Sequence, residues 1–246
     1  MLRIKPHTKA VPIPIFGVAF TSRPSRRKPI TVARAILGSG HLHVAKVDCI
    51  ASWQEFESFL QEPGPWRAGF DFPFSQPLRL FKDFGLKGDW EPQVHALTSS
   101  GRQAYEHRLR AYMDAQPYGD KQHFRLTDRR SNSCSPMKLD FTPVGKMFFE
   151  GAPRLIAAGL SILPCRPTNG HRVAVEAYPK LVAKKYIGLT AYKSEKKPGQ
   201  TEVHRMARRH ILLGLDDHAQ RDYGITIGVS PAPKKGGRTG RLGRHS

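Results

Sequence analysis

Residues 12–22 read PIPIFGVAFTS, residues 30–37 read ITVARAIL and residues 41–50 read HLHVAKVDCI. All three runs are apolar and rich in β-branched side chains, which is typical of strands. A Gly-Ser-Gly turn at 38–40 separates the second run from the third, and a basic, turn-rich segment at 23–29 separates the first from the second. The stretch therefore predicts a three-stranded meander.

A helix and a fourth strand follow the meander. Ser52 is a predicted N-cap, and the apolar side chains of residues 53–60 recur every three to four positions. The residues Pro-Gly-Pro at 63–65 end the helix, and the run WRAGFDFPF at 66–74 predicts a strand. A helix between two strands implies a right-handed crossover, so we expect this strand to lie parallel to an earlier one.

The rest of the chain predicts an α/β domain with a helical insertion and flanking helices. We predict helices at 102–113, 144–158, 181–187 and 202–213, an irregular basic loop at 122–140, a strand at 172–178 and an extended segment at 223–229. The domain is predicted to span residues 12–229, with the helical insertion at about 78–160. A flexible N-terminus at 1–11 and a disordered basic tail at 230–246 are expected to flank it.

Charge and composition predict the partner and the compartment. Forty Lys and Arg residues against 20 Asp and Glu residues give a formal net charge of +20, which favours a nucleic-acid partner, either DNA or RNA. No apolar stretch approaches the roughly 18 residues of a membrane span, so no membrane partner is expected. The cysteines Cys49, Cys134 and Cys165 lack the spacing of a zinc site. We therefore expect reduced thiols and a cytoplasmic location.

Two carboxylates in apolar surroundings are candidate catalytic residues and metal ligands. Asp71 follows a strand-like run, and Glu176 lies inside the apolar run at 173–178. An ionised carboxylate in such a place is costly unless it is paired or bound to metal. On neighbouring strands, two carboxylates about 4 Å apart would repel by about 4 kcal/mol, and a Mg²⁺ or Mn²⁺ ion would reverse this repulsion. A salt bridge with a basic residue, or a carboxylate facing water, accounts for the same pattern.

Two basic segments contain candidate phosphate ligands. These are Ser22, Arg26, Arg27, Lys28, Arg125 and Arg129. Asp128, in the second segment, is either an accessory acid or the residue that forms an Asx turn, and the turn is favoured. The first segment is equally consistent with a solvated hairpin tip. His41 and His43 share one strand face, but the sequence indicates no third metal ligand, so we expect exposed histidines.

Five motifs, taken together, resemble domain-of-unknown-function family 429. They are GVAFTS at 17–22, PSRRKPI at 24–30, GFDFPF at 69–74, FRLTD at 124–128 and VEAYP at 175–179. Members of that family are predicted nucleases with a ribonuclease-H-like fold, and the resemblance covers most of residues 12–229. It implies a ribonuclease-H-like mixed sheet that begins β-β-β-α-β. It also implies two metal ions, held by carboxylates, that hydrolyse a phosphodiester.

The resemblance assigns roles and also shows two departures. Asp71 matches the ligand on the strand after the first helix, and Glu176 matches the Glu-x-Tyr-Pro motif, as a ligand or as a residue that supports one. The family pattern on the first strand is similar to Gly-Val-Asp-Phe-Thr-Ser, whereas this chain has Ala19, whose methyl group cannot bind metal. The C-terminal helix that would carry the last acid is expected to be missing. The tail after Ser230 resembles a truncated or altered reading frame.

Three functions follow as hypotheses. The first is a metal-dependent nuclease or phosphodiesterase with an impaired site, in which Asp128 or Asp140 replaces lost ligands. The second is a non-catalytic nucleic-acid-binding relative that has lost its metal site. The third is a scaffold for other partners that does not bind nucleic acid.

Overall fold

The computed structural model describes residues 11–194 and 201–230. The expectations of a flexible N-terminus and a disordered tail fall on residues 1–10 and 231–246, outside the described residues. No helix within the described residues is long and apolar enough to cross a membrane.

Seven strands form one mixed sheet. They are β1 (Ile13–Ala19), β2 (Ile30–Gly38), β3 (His41–Ile50), β4 (Trp66–Phe70), β5 (Ser161–Leu163), β6 (Arg172–Glu176) and β7 (Thr226–Val229). Their order across the sheet is β5-β6-β4-β1-β2-β3-β7. The first three strands form an antiparallel meander, and β4 pairs in parallel with β1 and with β6. The predicted α/β class and the parallel pairing of the fourth strand are thus confirmed.

The described residues also contain eight helices. They are α1 (Trp53–Leu60), α2 (Leu78–Asp83), α3 (Trp90–Thr98), α4 (Arg102–Asp114), α5 (Leu126–Ser131), α6 (Val144–Ala157), α7 (Pro179–Ile187) and α8 (Glu202–Tyr223). Five of them, α2 to α6, lie between β4 and β5. The last two connect β6 to β7.

Local sequence explains where α1 begins. The Ser52 hydroxyl accepts a hydrogen bond from the Glu55 backbone N–H at 3.2 Å, and the Glu55 carboxylate accepts one from the Ser52 backbone N–H at 3.2 Å. This reciprocal capping satisfies two donors that a helix N-terminus otherwise leaves unpaired. Phe56, Phe59 and Leu60 then project from one side of α1 and are buried, as the apolar spacing predicts.

The two faces of the sheet are covered unequally. The main core joins one sheet face, with Phe16, Val18 and Phe70, to α1 and to α2, α3, α4 and α6. Because crossovers are right-handed, the connection from β6 to β7 places α7 and α8 on the opposite face. Within the described residues of these two helices, only three small side chains are buried: Ala183, Ala207 and Ala219. The second face is therefore thinly packed.

The structure corrects several predicted boundaries. Strand β4 ends at Phe70 rather than at residue 74, because the Phe72 N–H turns back to the Phe70 carbonyl at 2.9 Å and Pro73 has no N–H to donate. Helix α5 lies within the predicted irregular loop at 122–140, and β5 was not predicted. Helix α8 continues ten residues beyond the predicted end, to Tyr223.

Candidate functional site

The candidate site lies at the edge of the sheet where three parallel strands end together. Strand β1 ends at Ala19, β4 ends at Phe70 and β6 ends at Glu176. Asp71 directly follows β4. The three positions expected to form the metal site, Ala19, Asp71 and Glu176, therefore share one edge.

The pairing register separates the two carboxylates. Phe70 lies opposite both Val18 and Glu176, so these three residues share one face of the sheet. Asp71 comes one residue later, and its N–H continues the ladder by donating to the Val18 carbonyl at 2.9 Å. Successive side chains point to opposite faces, so Asp71 lies beside Ala19 on the other face. The close pair of Asp71 and Glu176 expected from the sequence does not form.

Glu176 pairs instead with Arg125. Its carboxylate accepts two hydrogen bonds from the Arg125 guanidinium, at 2.7 and 2.6 Å, and a third from the Phe74 N–H at 2.8 Å. This is the salt bridge that the sequence left open as an alternative to metal binding. A bidentate pair of this kind fixes both the charge and the orientation of Glu176.

Arg125 also binds Asp128, at 3.0 Å through Nε and 2.8 Å through Nη2. Its side chain is only 16% exposed. Although burial opposes its charge, the hydrogen bonds that Arg125 donates to Asp128 and Glu176 raise the pKa of Arg125. The phosphate-ligand role of Arg125 stays a prediction, and in this structure two carboxylates already pair with its guanidinium. No pattern in the sequence indicates this pairing, since Glu176 lies 51 residues away along the chain.

Asp128 and Asp140, the two acids proposed to replace lost metal ligands, also pair with basic residues. Asp128 is buried in the first turn of α5, where it accepts the Arg125 backbone N–H at 2.8 Å, in keeping with the local turn role. Asp140 forms a bidentate pair with Arg110, at 2.9 and 3.0 Å. Neither acid is free to replace a metal ligand.

Asp71 has a different environment from Glu176. Burial raises the pKa of Asp71, and the positive charge of Lys193 partly opposes this shift. Burial also raises the pKa of Tyr178 and of Tyr192, and in both cases the charge of Asp71 adds to the effect. Within the described residues, the Asp71 carboxylate has no hydrogen bond or ion pair. It is therefore a half-buried acid whose charge interacts with two phenols and an ammonium group.

The edge does not fit the two metal ions that the family resemblance implies. Ala19 offers a methyl group, Glu176 is neutralised by Arg125, and one carboxylate remains at Asp71. No group of three or more His, Cys, Asp and Glu side chains in the described part of the chain is placed to hold a metal ion. Two-metal hydrolysis needs several carboxylates around ions about 3.5–4 Å apart. We therefore assign no metal-dependent step to this edge.

An exposed basic turn lies at the same edge, in the loop between β1 and β2. Arg26, Arg27 and Lys28 are exposed. The turn is closed by two backbone hydrogen bonds of 3.1 Å between Ser25 and Lys28, and the Ser25 hydroxyl accepts the Lys28 N–H at 3.1 Å. These hydrogen bonds hold the backbone of the turn in place, and the backbone in turn presents the basic side chains beside the strand ends.

Two other candidate phosphate ligands differ in accessibility. Ser22 is only 8% exposed, and its carbonyl accepts a hydrogen bond from Arg102 at 3.1 Å, so it faces the protein interior rather than a ligand. The phosphate-ligand role of Ser22 stays a prediction, which its burial does not favour. Arg129 is exposed on α5, with its guanidinium 5.8 Å from the centre of the Phe124 ring.

Comparison with known proteins adds no relative. No family model matches the chain, and no curated protein or solved structure matches it either. The resemblance to domain-of-unknown-function family 429 therefore stays a prediction that rests on the motifs quoted above.

Sequence reasoning missed part of the Asp71 environment. Tyr178 belongs to the VEAYP motif, so its place near the end of β6 was visible as a pattern. Tyr192 and Lys193 follow α7 in a segment without apolar periodicity, and no signal in the sequence connects them with Asp71.

Proposed function

We propose that this protein binds nucleic acid on a ribonuclease-H-like sheet and has lost the metal-dependent hydrolysis of that class. The observation that carries this proposal is the composition of the strand-end edge. It combines an exposed basic turn at residues 26–28 with one half-buried carboxylate, Asp71, that forms no ion pair within the described residues and interacts with the charge of Lys193 only at longer range.

Charge supports the binding half of the proposal. The formal net charge of +20 produces a positive electrostatic field around the protein, and this field attracts polyanions. Within the described residues, the side chains of Arg26 and Arg27 have no carboxylate partner, so they can exchange water and counterions for phosphate without breaking an ion pair. In α/β sheets, ligands commonly bind outside the carboxyl ends of the strands, which is where this turn lies.

The chemistry of the edge supports the loss of hydrolysis. A single carboxylate cannot hold two cations close together. The positive charge of Arg125 neutralises the Glu176 carboxylate. The second candidate metal ligand is therefore already paired. We therefore favour the non-catalytic relative over the impaired nuclease.

Salt-dependent binding tests the proposal. Fluorescence anisotropy with labelled DNA and RNA oligonucleotides should show log affinity falling with log salt, at a slope of about −5 if six phosphates are contacted. Arg26→Ala/Arg27→Ala should reduce the steepness of this slope by about 2. The charge-matched control is Lys82→Ala/Lys87→Ala, which removes two exposed charges around α2.

A control variant that changed the slope as much as the turn variant would contradict a specific role for the turn. Affinity independent of salt would favour the scaffold hypothesis. Metal-dependent cleavage of the same oligonucleotides that Asp71→Asn abolishes would restore the nuclease hypothesis.

A further inference from the structure

The start of β3 carries two histidines far from the candidate site. His41 and His43 are exposed, with ring centroids 6.3 Å apart and ring planes 24° apart. Residues two apart on a strand share one face. His41 lies opposite Gly38, whereas Ala19 lies opposite Thr31 at the other end of β2. The histidines therefore occupy the end of the sheet opposite the strand-end edge.

Strand β7 fixes the orientation of both rings. It pairs in parallel with β3, so that Thr226 lies opposite His41. Nδ1 of His41 shares a hydrogen bond of 2.7 Å with the Thr226 hydroxyl, and Nε2 of His43 shares one of 3.0 Å with the Ser230 hydroxyl. His41 thus uses one ring nitrogen on β7 and His43 uses one on Ser230, the residue directly after β7, whereas the second nitrogen of each ring remains available.

The two available nitrogens border one small space. A Cβ atom built on Gly228 would lie 3.1 Å from Nε2 of His41 and 3.3 Å from Nδ1 of His43. Gly228 has no side chain, so this space is open. Any other residue at position 228 would fill it.

From this geometry we propose that His41 and His43 bind a divalent transition-metal ion above Gly228. Neutral imidazole nitrogens suit Zn²⁺, Ni²⁺ and Cu²⁺, at metal–nitrogen distances of about 2.0–2.1 Å for zinc, whereas Mg²⁺ prefers oxygen ligands. The nitrogens that face Gly228 are Nε2 of His41 and Nδ1 of His43, and both rings must turn about their side-chain bonds for these nitrogens to reach one ion. The Thr226 and Ser230 hydroxyls then accept the N–H of the opposite ring nitrogens, the arrangement that orients metal-binding histidines.

Metal binding at this site depends on the pairing of β3 with β7. Both protein ligands belong to β3, and the hydroxyls that orient them belong to Thr226 on β7 and to Ser230 directly after it, so metal binding favours the paired arrangement of the two strands. The two histidines leave further coordination positions to water or to an external ligand. The order of affinity is expected to be Cu²⁺ first, with Ni²⁺ and Zn²⁺ weaker.

Calorimetric titration of the full, untagged chain with Zn²⁺ tests the proposal. His41→Gln and His43→Gln should each weaken zinc affinity by about tenfold or more, since each removes one of two protein ligands. Gly228→Ala keeps both histidines but fills the space, so it should weaken affinity to a similar extent. His107→Gln removes an exposed imidazole from α4 and should leave affinity unchanged.

Thermal unfolding provides a second measurement. Zinc should raise the Tm of the wild-type and His107→Gln proteins but not that of His41→Gln, because a ligand stabilises only the state that binds it. Equal zinc affinity in the wild-type and His41→Gln proteins would overturn the proposal. Zinc binding that Cys49→Ser or Asp71→Asn abolishes, while His41→Gln retains it, would also overturn it.

Discussion

Ionisation of Asp71 should lower the stability of the folded state. Burial raises its pKa above the value in the unfolded chain. The unfolded chain therefore releases this proton at a lower pH, and the native state loses stability as the pH rises from the unfolded to the folded pKa. Asp71→Asn cannot ionise, so it should be more stable than the wild type at about pH 7 and similar to it at about pH 3.

Urea unfolding of both proteins at the two pH values measures this difference. A variant less stable than the wild type at neutral pH would show that the Asp71 carboxylate makes a favourable contact. Lys193→Gln provides the converse test, because it removes the charge that partly stabilises ionised Asp71 and should lower stability at neutral pH.

Ala19 is the residue at which a second carboxylate is most simply placed beside Asp71. It lies beside Asp71 on the same face of the sheet, so Ala19→Asp places two carboxylates side by side. At about 4 Å they repel by about 4 kcal/mol at an effective dielectric of about 20, and a bound cation reverses this. Without metal, the variant should melt at a lower temperature than the wild type, and Mn²⁺ should recover much of the loss.

Calorimetric titration with Mn²⁺ checks this prediction directly. Ala19→Asp should bind Mn²⁺ more tightly than the wild type, and Ala19→Asp/Asp71→Asn should lose the gain. Equal affinity in all three proteins would show that these two positions do not face one another.

Among the elements, α6 depends on a glycine where it contacts the segment after β4. A Cβ atom at Gly151 would lie 2.4 Å from the ring of Phe72, well inside van der Waals contact. Gly151→Ala should therefore destabilise the protein by about 1–3 kcal/mol, although alanine favours helices elsewhere. Urea unfolding measures the loss. In a double-mutant cycle, Phe72→Leu should relieve part of it, and strict additivity of the two changes would contradict the contact.

The elements also show what the sequence can predict. Strands β1 to β4 and helix α1 were predicted to within a few residues, since each has its own apolar period and its own turn or cap. Strand β5 has three residues, too few to show a period. Helix α5 depends on Asp128 capping its first turn, inside a segment whose basic composition indicates a loop.

The candidate site was harder to predict than the fold. The sequence placed Ala19, Asp71 and Glu176 at one edge, because strand order alone determines which strand ends meet there. It did not determine on which face each side chain lies, since a shift of one residue in register reverses the face. It also gave no means of finding the Arg125 partner of Glu176, which depends on tertiary folding.

At the scale of the whole molecule, deletion of the basic tail separates the effect of its charge on nucleic-acid binding from any effect on folding. Residues 232–246 contain five basic residues and no apolar periodicity: Lys234, Lys235, Arg238, Arg241 and Arg244. Deleting residues 232–246 should change the Tm by less than about 2 °C, because the segment has no apolar periodicity with which to pack against a core. The salt slope of oligonucleotide binding should become shallower if these residues contact phosphate. A large fall in Tm would show that the segment packs against the domain.

The strand order also determines which edges of the sheet are open to pairing with another chain. An unpaired strand edge is a template for another chain, and short or covered edges protect against this. On one side, Arg166 forms backbone hydrogen bonds of 2.9 and 2.6 Å with Ile162 and so covers β5. On the other side, the four residues of β7 cover part of β3, which has ten. Loss of β7 would expose β3 along its whole length, so the last strand serves solubility as well as folding.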